Sequence, residues 1–156
     1  MRDKRFIAEH CGGPLKREQH RQLIKWACDC VEHILPLFCE KSGDRLENAI
    51  LIAKEWEKGN TTVGNTRNAS LGAIALANES SNTASVEIAR AIGHAVATAH
   101  MADHSLLAAL YALKAVKNSG KSIDVERKWQ NKQLPLEIKE LVLTAMIEKE
   151  KHFKIN

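Results

Sequence analysis

Aromatic residues are scarce in this chain: Phe, Trp and Tyr together make up 4% of its 156 residues. A core has to be assembled from Ala, Leu, Ile and Val instead. Sheet sandwiches draw on β-branched and aromatic side chains, so the shortage favours closely packed helices. The four cysteines, Cys11, Cys28, Cys30 and Cys39, all fall in the first quarter. Cys28 and Cys30 are two apart, which on a helix turns them to nearly opposite sides and suits neither a shared metal nor a mutual disulfide. Reduced, partly buried thiols are the expected state. No apolar run approaches the roughly 20 residues that cross a bilayer, so no membrane partner is expected. The opening MRDKRFIAEHCGGP lacks the apolar stretch of a secretory signal.

Concentrated charge is missing as well. The formal net charge is +4, spread as about +1, +1 and +2 over residues 1–60, 61–120 and 121–156. The nearest thing to a basic stripe is Arg127, Lys128 and Lys132 around Trp129, interleaved with Glu126 and flanked by Glu137. That reads as a solvated helix face, and nucleic acid is not an expected partner.

What is present points to one all-α domain, a compact bundle of about seven helices or a stack of HEAT-like helical pairs. Residues 1–14 read as a mobile N-terminal arm, 15–150 as the helical domain and 151–156 as a C-terminal tail. Leu23, Trp26, Ala27, Cys30, Val31, Ile34 and Phe38 recur every three or four residues and predict a first helix from about Leu15 to Phe38, disturbed by Pro36. Ser42-Gly43 breaks the chain, and Asp44 with Glu47 three residues on resembles an N-cap. A second helix buries Leu46, Ile50, Ala53 and Trp56. Thr62 caps a third over about 63–79, and a fourth covers about 84–101. Asp103 is placed to cap a fifth, unless the fourth and fifth are one bent helix. Ser122 starts a sixth, and Pro135 opens the last.

Between residues 61 and 120 the charged side chains are Arg67, Glu79, Glu87, Arg90, Asp103, Lys114 and Lys117, where the chain's average would supply about 16. The third to fifth helices are therefore expected to be covered on more than one side.

One cluster stands out for chemistry, the run from Gly93 to His104 with three histidines. Helical geometry puts Ile88, Ile92, Ala95, Val96 and Ala99 on the apolar arc of the fourth helix and His94 opposite, with Glu87 and Arg90. His100 falls at the edge of the arc, where a buried imidazole left unpaired costs about 1–3 kcal/mol. Asp29 and His33, four apart on the first helix, are expected to face His100 and His104 across a helix contact. Three readings of Asp29, His33, His94, His100, Asp103 and His104 stay open. They form a polar network that sets helix register, a surface or pocket for a partner or ligand, or a metal site on His100 and His104 at i, i+4 spacing. A His-Glu-x-x-His sequence is absent, as are the paired Glu-x-x-His motifs of di-iron bundles. So are the Gly-x-Ser-x-Gly elbow, the P-loop and the dinucleotide-binding glycine pattern, so no catalytic residue and no cofactor are expected.

Three segments carry a resemblance. Residues 23–38, reading LIKWACDCVEHILPLF, the stretch from Arg90 to Ala115 containing GHAVATAHMADHS, and Glu126-Arg127-Lys128-Trp129-Gln130 with Leu134-Pro135 resemble, in order, the signatures of the immunity-five-like family of bacterial immunity proteins. The resemblance implies an all-helical cytoplasmic protein of a polymorphic toxin system, a toxin–antitoxin arrangement in which it binds a cognate protein toxin without catalysis. It brings no catalytic residues with it. Acidic surfaces are expected of proteins that mask basic nucleases, and a charge of +4 departs from that pattern. The alternatives are a small-molecule or metal-binding helical domain, conceivably enzymatic, using His100, His104, Asp29 and His33, and a homo-oligomeric scaffold.

Overall fold

A helix that presents Leu23, Ile24, Ala27, Cys30, Val31 and Ile34 along one stripe takes all six out of water together. That helix, α1, spans Arg17–Ile34, and all six are buried. The computed structural model describes residues 2–41 and 43–155. They form six further α-helices: α2 Gly43–Glu57, α3 Val63–Glu79, α4 Thr83–Ala97, α5 His104–Asn118, α6 Ile123–Lys132 and α7 Leu136–Glu150. Short 3-10 turns lie at Lys4–Phe6, Glu9–Cys11 and Leu35–Leu37. Among the described residues no strand forms, and the one bridge joins Ala8 to Leu15. The chain is all-α.

Local chemistry sets most boundaries. Thr62 and Ser122 accept the backbone N–H of Asn65 and Val125 on their hydroxyls, satisfying first-turn donors of α3 and α6. Pro36 sits in the 3-10 turn that follows α1, where its missing N–H does least harm. Three expectations need correction. α2 begins at Gly43, so Asp44 lies in its first turn, at the positive end of the helix dipole, rather than at the cap. Residue 42, half of the expected break, lies outside the described residues. α4 stops at Ala97, and residues 98–103 form two tight turns before α5, so the two helices are separate. Asp103 does occupy the N-cap of α5 but makes no capping bond. Its backbone is helical (φ −69°, ψ −12°), whereas a capping residue needs extended backbone to aim its side chain at the exposed N–H groups.

The centre of the molecule is the pair α4 and α5, built from buried Ala89, Ala91, Ile92, Ala95, Ala108, Ala109 and Ala112. α4 packs against α1, α2, α3 and α5, and α5 also meets α6 and α7. α1 touches α5 and α7 besides α2 and α4, which closes the helices on one another; a linear stack of pairs would leave contacts only between successive units.

Residues 1–14, expected to be a mobile arm, are tied down where described. Phe6 is fully buried in an apolar cluster with Leu15, Leu23, Trp26 and Leu106. The N–H of Leu15 donates to the Ile7 carbonyl at 3.0 Å, and that of Glu9 to the Leu15 carbonyl at 2.8 Å. Burying one aromatic ring offsets part of the entropy lost in ordering the segment.

α3 departs from the expected burial. Its inner face, Thr66, Ser70, Ala73, Leu76 and Ala77, is buried against its neighbours, and Ser70 Oγ donates to the Gly93 carbonyl at 2.8 Å. Its outer face, Asn68, Leu71, Gly72, Ala75 and Asn78, is open to solvent, with Leu71 59% exposed. Burial explains the missing charge of α4 and α5. It does not explain the missing charge on the outside of α3.

Candidate functional site

The last turn of α4, the 98–103 turns and the first turn of α5 bring three histidines and an aspartate to one corner. Thr98 Oγ1 donates to the His94 carbonyl at 3.0 Å, and Ser105 Oγ to the Ala102 carbonyl at 2.7 Å, so two hydroxyls pin the corner's backbone from either end. His94 and His104 then meet with their Nδ1 atoms 2.8 Å apart, one donating and the other accepting. Tyr111, two turns into α5, lies parallel to His94 at 5.2 Å, and Phe153 meets Tyr111 edge-on at 4.9 Å. His100 completes the row, its ring 5.6 Å from that of His104.

His94 was expected on the side of α4 opposite its apolar arc, with Glu87 and Arg90. That side in fact faces α5: Glu87 is buried and lies 3.2 Å from Arg90 and 3.9 Å from Lys114 of α5, and His94 is half-buried. A 3.6-residue period locates the side opposite the core-facing arc, but a central helix has neighbours there too.

Burial disfavours the charged imidazole and lowers the proton affinity of His100 and His104, and it takes His94 down to about 4. For His94 the His104 ring, Lys149 and Arg90 push the same way. Two buried polar atoms at the corner lack a hydrogen-bond partner among the described residues, His100 Nδ1 and Asp103 Oδ1. The other oxygen of Asp103 has only a distant cation, Arg2 at 3.8 Å. Beside Asp103 opens a cleft of about 590 Å³ lined by Asp3, Asp103, Leu106, Leu107, Lys149 and Phe153, among others.

Asp29 and His33 do not join this corner. His33 Nδ1 lies 2.7 Å from Glu126 Oε2, and its ring stacks on Trp129 with centroids 3.6 Å apart and planes within 6°. Asp29 pairs with Lys25 of its own helix at 3.4 Å. His33 belongs to the junction of α1 with α6, where Trp26 Nε1 donates to the Gln130 carbonyl at 2.9 Å, whereas Asp29 faces the groove between α1 and Lys54 and Glu57 of α2. The α1 residue that reaches the corner is His20, whose Nε2 donates to the Thr98 carbonyl at 2.6 Å. His20 precedes His33 by 13 residues, about 20 Å along the axis at 1.5 Å per residue. Continuing the buried stripe Leu23–Ala27–Cys30–Ile34 one turn toward the N-terminus lands on His20, and that signal was readable.

Among the described residues no three His, Cys, Asp or Glu side chains gather in an arrangement that could hold a metal ion. Cys28 and Cys30 are buried, and burial raises both thiols, Cys28 to about 12, which keeps them protonated and unreactive. Among the described residues no helix is long and apolar enough to cross a membrane.

A family model described as "Imm-5 like putative immunity protein" matches residues 13–137, from just before α1 into the first turn of α7. The chain belongs to this family. The match covers α3 and the His94–His104 corner but stops short of Lys149 and Phe153 at the far wall of the cleft. Comparison with curated proteins and with solved structures finds no match.

Proposed function

We propose that this chain is the immunity partner of a bacterial protein toxin, a cytoplasmic protein that neutralises the toxin by covering it and not by a reaction. Family membership supports the immunity role. The observation that carries the binding reading is the outer face of α3, where Leu71, Gly72 and Ala75 stand in solvent and no charged residue occurs from 68 to 78. A solvated helix face normally carries charge. The centres of protein interfaces are depleted of it, and exposed apolar patches rimmed by polar groups mark contact surfaces. Asn68 and Asn78 supply such a rim. A net charge of +4 adds a steering term toward an acidic toxin surface.

The test is co-expression with each candidate toxin found in the neighbourhood of this gene. Wild type restores growth and binds with a dissociation constant below about 1 μM, near 8 kcal/mol. Leu71→Arg keeps the wild-type melting temperature and loses protection. Failure of the wild type to protect sinks the immunity reading; protection by Leu71→Arg moves the contact off α3.

One observation favours a second reading, in which the cleft beside Asp103 takes a small ligand: Asp103 Oδ1, on the cleft wall, is buried without a hydrogen-bond partner among the described residues. Asp103→Ala would then lose ligand while staying folded. His33→Ala, at the α1–α6 junction, is the control that leaves binding intact.

A further inference from the structure

The tied-down N-terminal segment and the end of α2 enclose a second pocket, of about 410 Å³. Its wall is formed by Ala8, Glu9 and His10 of the segment, Arg17, His20 and Arg21 of α1, and Trp56, Gly59 and Thr61 at the end of α2. His20 also touches the corner at His94, through the Thr98 carbonyl, and none of these residues lies on the outer face of α3.

Three features make this a site and not a crevice. First, the side chains of Arg17 and Arg21 have no hydrogen-bond or ion-pair partner among the described residues. Arginine's planar fork is suited to oxyanions, and four other guanidinium groups of this molecule are engaged, Arg5 with Asp3, Arg45 with Glu79, Arg90 with Glu87 and Arg127 with Glu150, whereas those of Arg17 and Arg21 are left to this pocket. Second, the sole carboxylate of the pocket, Glu9, points one oxygen at the backbone N–H of Arg17, at 3.3 Å, rather than at either guanidinium. Third, the back wall is rigid and chemically defined. His20 is 5% exposed, and its Nε2 must donate to the Thr98 carbonyl at 2.6 Å, because a carbonyl can only accept. In the neutral ring Nδ1 is thereby left as an acceptor. The indole of Trp56 leans on this ring at 4.8 Å and offers an apolar surface. Gly59, at φ +82°, turns the chain at the pocket's edge in a conformation that L side chains rarely adopt.

We propose that this pocket binds a small organic phosphate, with Arg17 and Arg21 gripping the phosphate, Trp56 covering the ligand's less polar part and His20 accepting from one of its hydroxyls. The volume lies in the range of pockets that enclose ligands of this size. Two guanidinium groups, against one occupied carboxylate, supply the charge complement.

Isothermal titration of the full chain with adenosine monophosphate, glucose 6-phosphate, inorganic phosphate and citrate tests this without any toxin. At least one of the two organic phosphates is expected to bind with a dissociation constant below about 1 mM and at least tenfold more tightly than citrate. Inorganic phosphate should bind more weakly than the better organic phosphate, having nothing to lay on Trp56. Arg21→Gln and Arg17→Gln should each weaken that binding at least tenfold, with melting temperatures in the absence of ligand unchanged. Absence of binding by both organic phosphates at 10 mM, equal or tighter binding of citrate or inorganic phosphate, or unaltered binding by both arginine variants would overturn the proposal.

Discussion

His94 and His104 share a 2.8 Å contact between ring nitrogens, and burial holds both imidazoles below their ordinary proton affinity, as it does His20. The folded state therefore keeps these rings neutral at pH values where the unfolded chain, with histidines near 6.5, is already protonated. Protons taken up by the unfolded state alone weaken folding as pH falls. The stability these histidines contribute is fully present above about 6.5 and is lost progressively toward the value of about 4 for His94. The melting temperature is expected to drop between pH 7 and pH 4, and His94→Gln to drop less steeply over that window. A His94→Gln profile parallel to the wild type would show that the pair is solvated. At this scale the sequence marked His94, His100, Asp103 and His104 as one group, because they are near neighbours in the chain. It did not mark the attachment of His20 to Thr98 or of His33 to Glu126, since those partners lie 78 and 93 residues away.

Gly93 lets α3 approach α4. A Cβ at that position would stand 2.9 Å from Ile74 Cγ1 and 3.5 Å from the Ser70 carbonyl oxygen, so the hydrogen bond from Ser70 Oγ to the Gly93 carbonyl depends on the missing side chain. Gly93→Val is expected to destabilise by about 1–3 kcal/mol, since overpacking outweighs the modest gain in helix propensity. Urea unfolding measures it; a variant as stable as wild type would mean that α3 is loosely seated. Helix positions were legible because caps and apolar stripes act within a few residues. The exposure of α3 was not, because a shortage of charge is equally compatible with burial by the same chain and with a surface reserved for another molecule.

The molecule as a whole is closed by its N-terminal segment. Phe6 fills the second apolar cluster between α1, α5 and α7, where Leu15, Leu23, Leu106, Ile138 and Val142 surround it. Phe6→Ala should cost about 3–5 kcal/mol, and should also open the pocket that the same segment walls. Thermal unfolding decides the first point, and a melting temperature within a degree of wild type would return the segment to the status of a loose arm. The amino-acid sequence by itself determined that this protein is all-α and where most helices begin, with Thr62 and Ser122 capping and Pro36 ending what their local chemistry favours. Tertiary structure alone decided which polar side chains met. A partner across a helix contact depends on how two helices are rotated and crossed, and no pattern along a single helix contains that information.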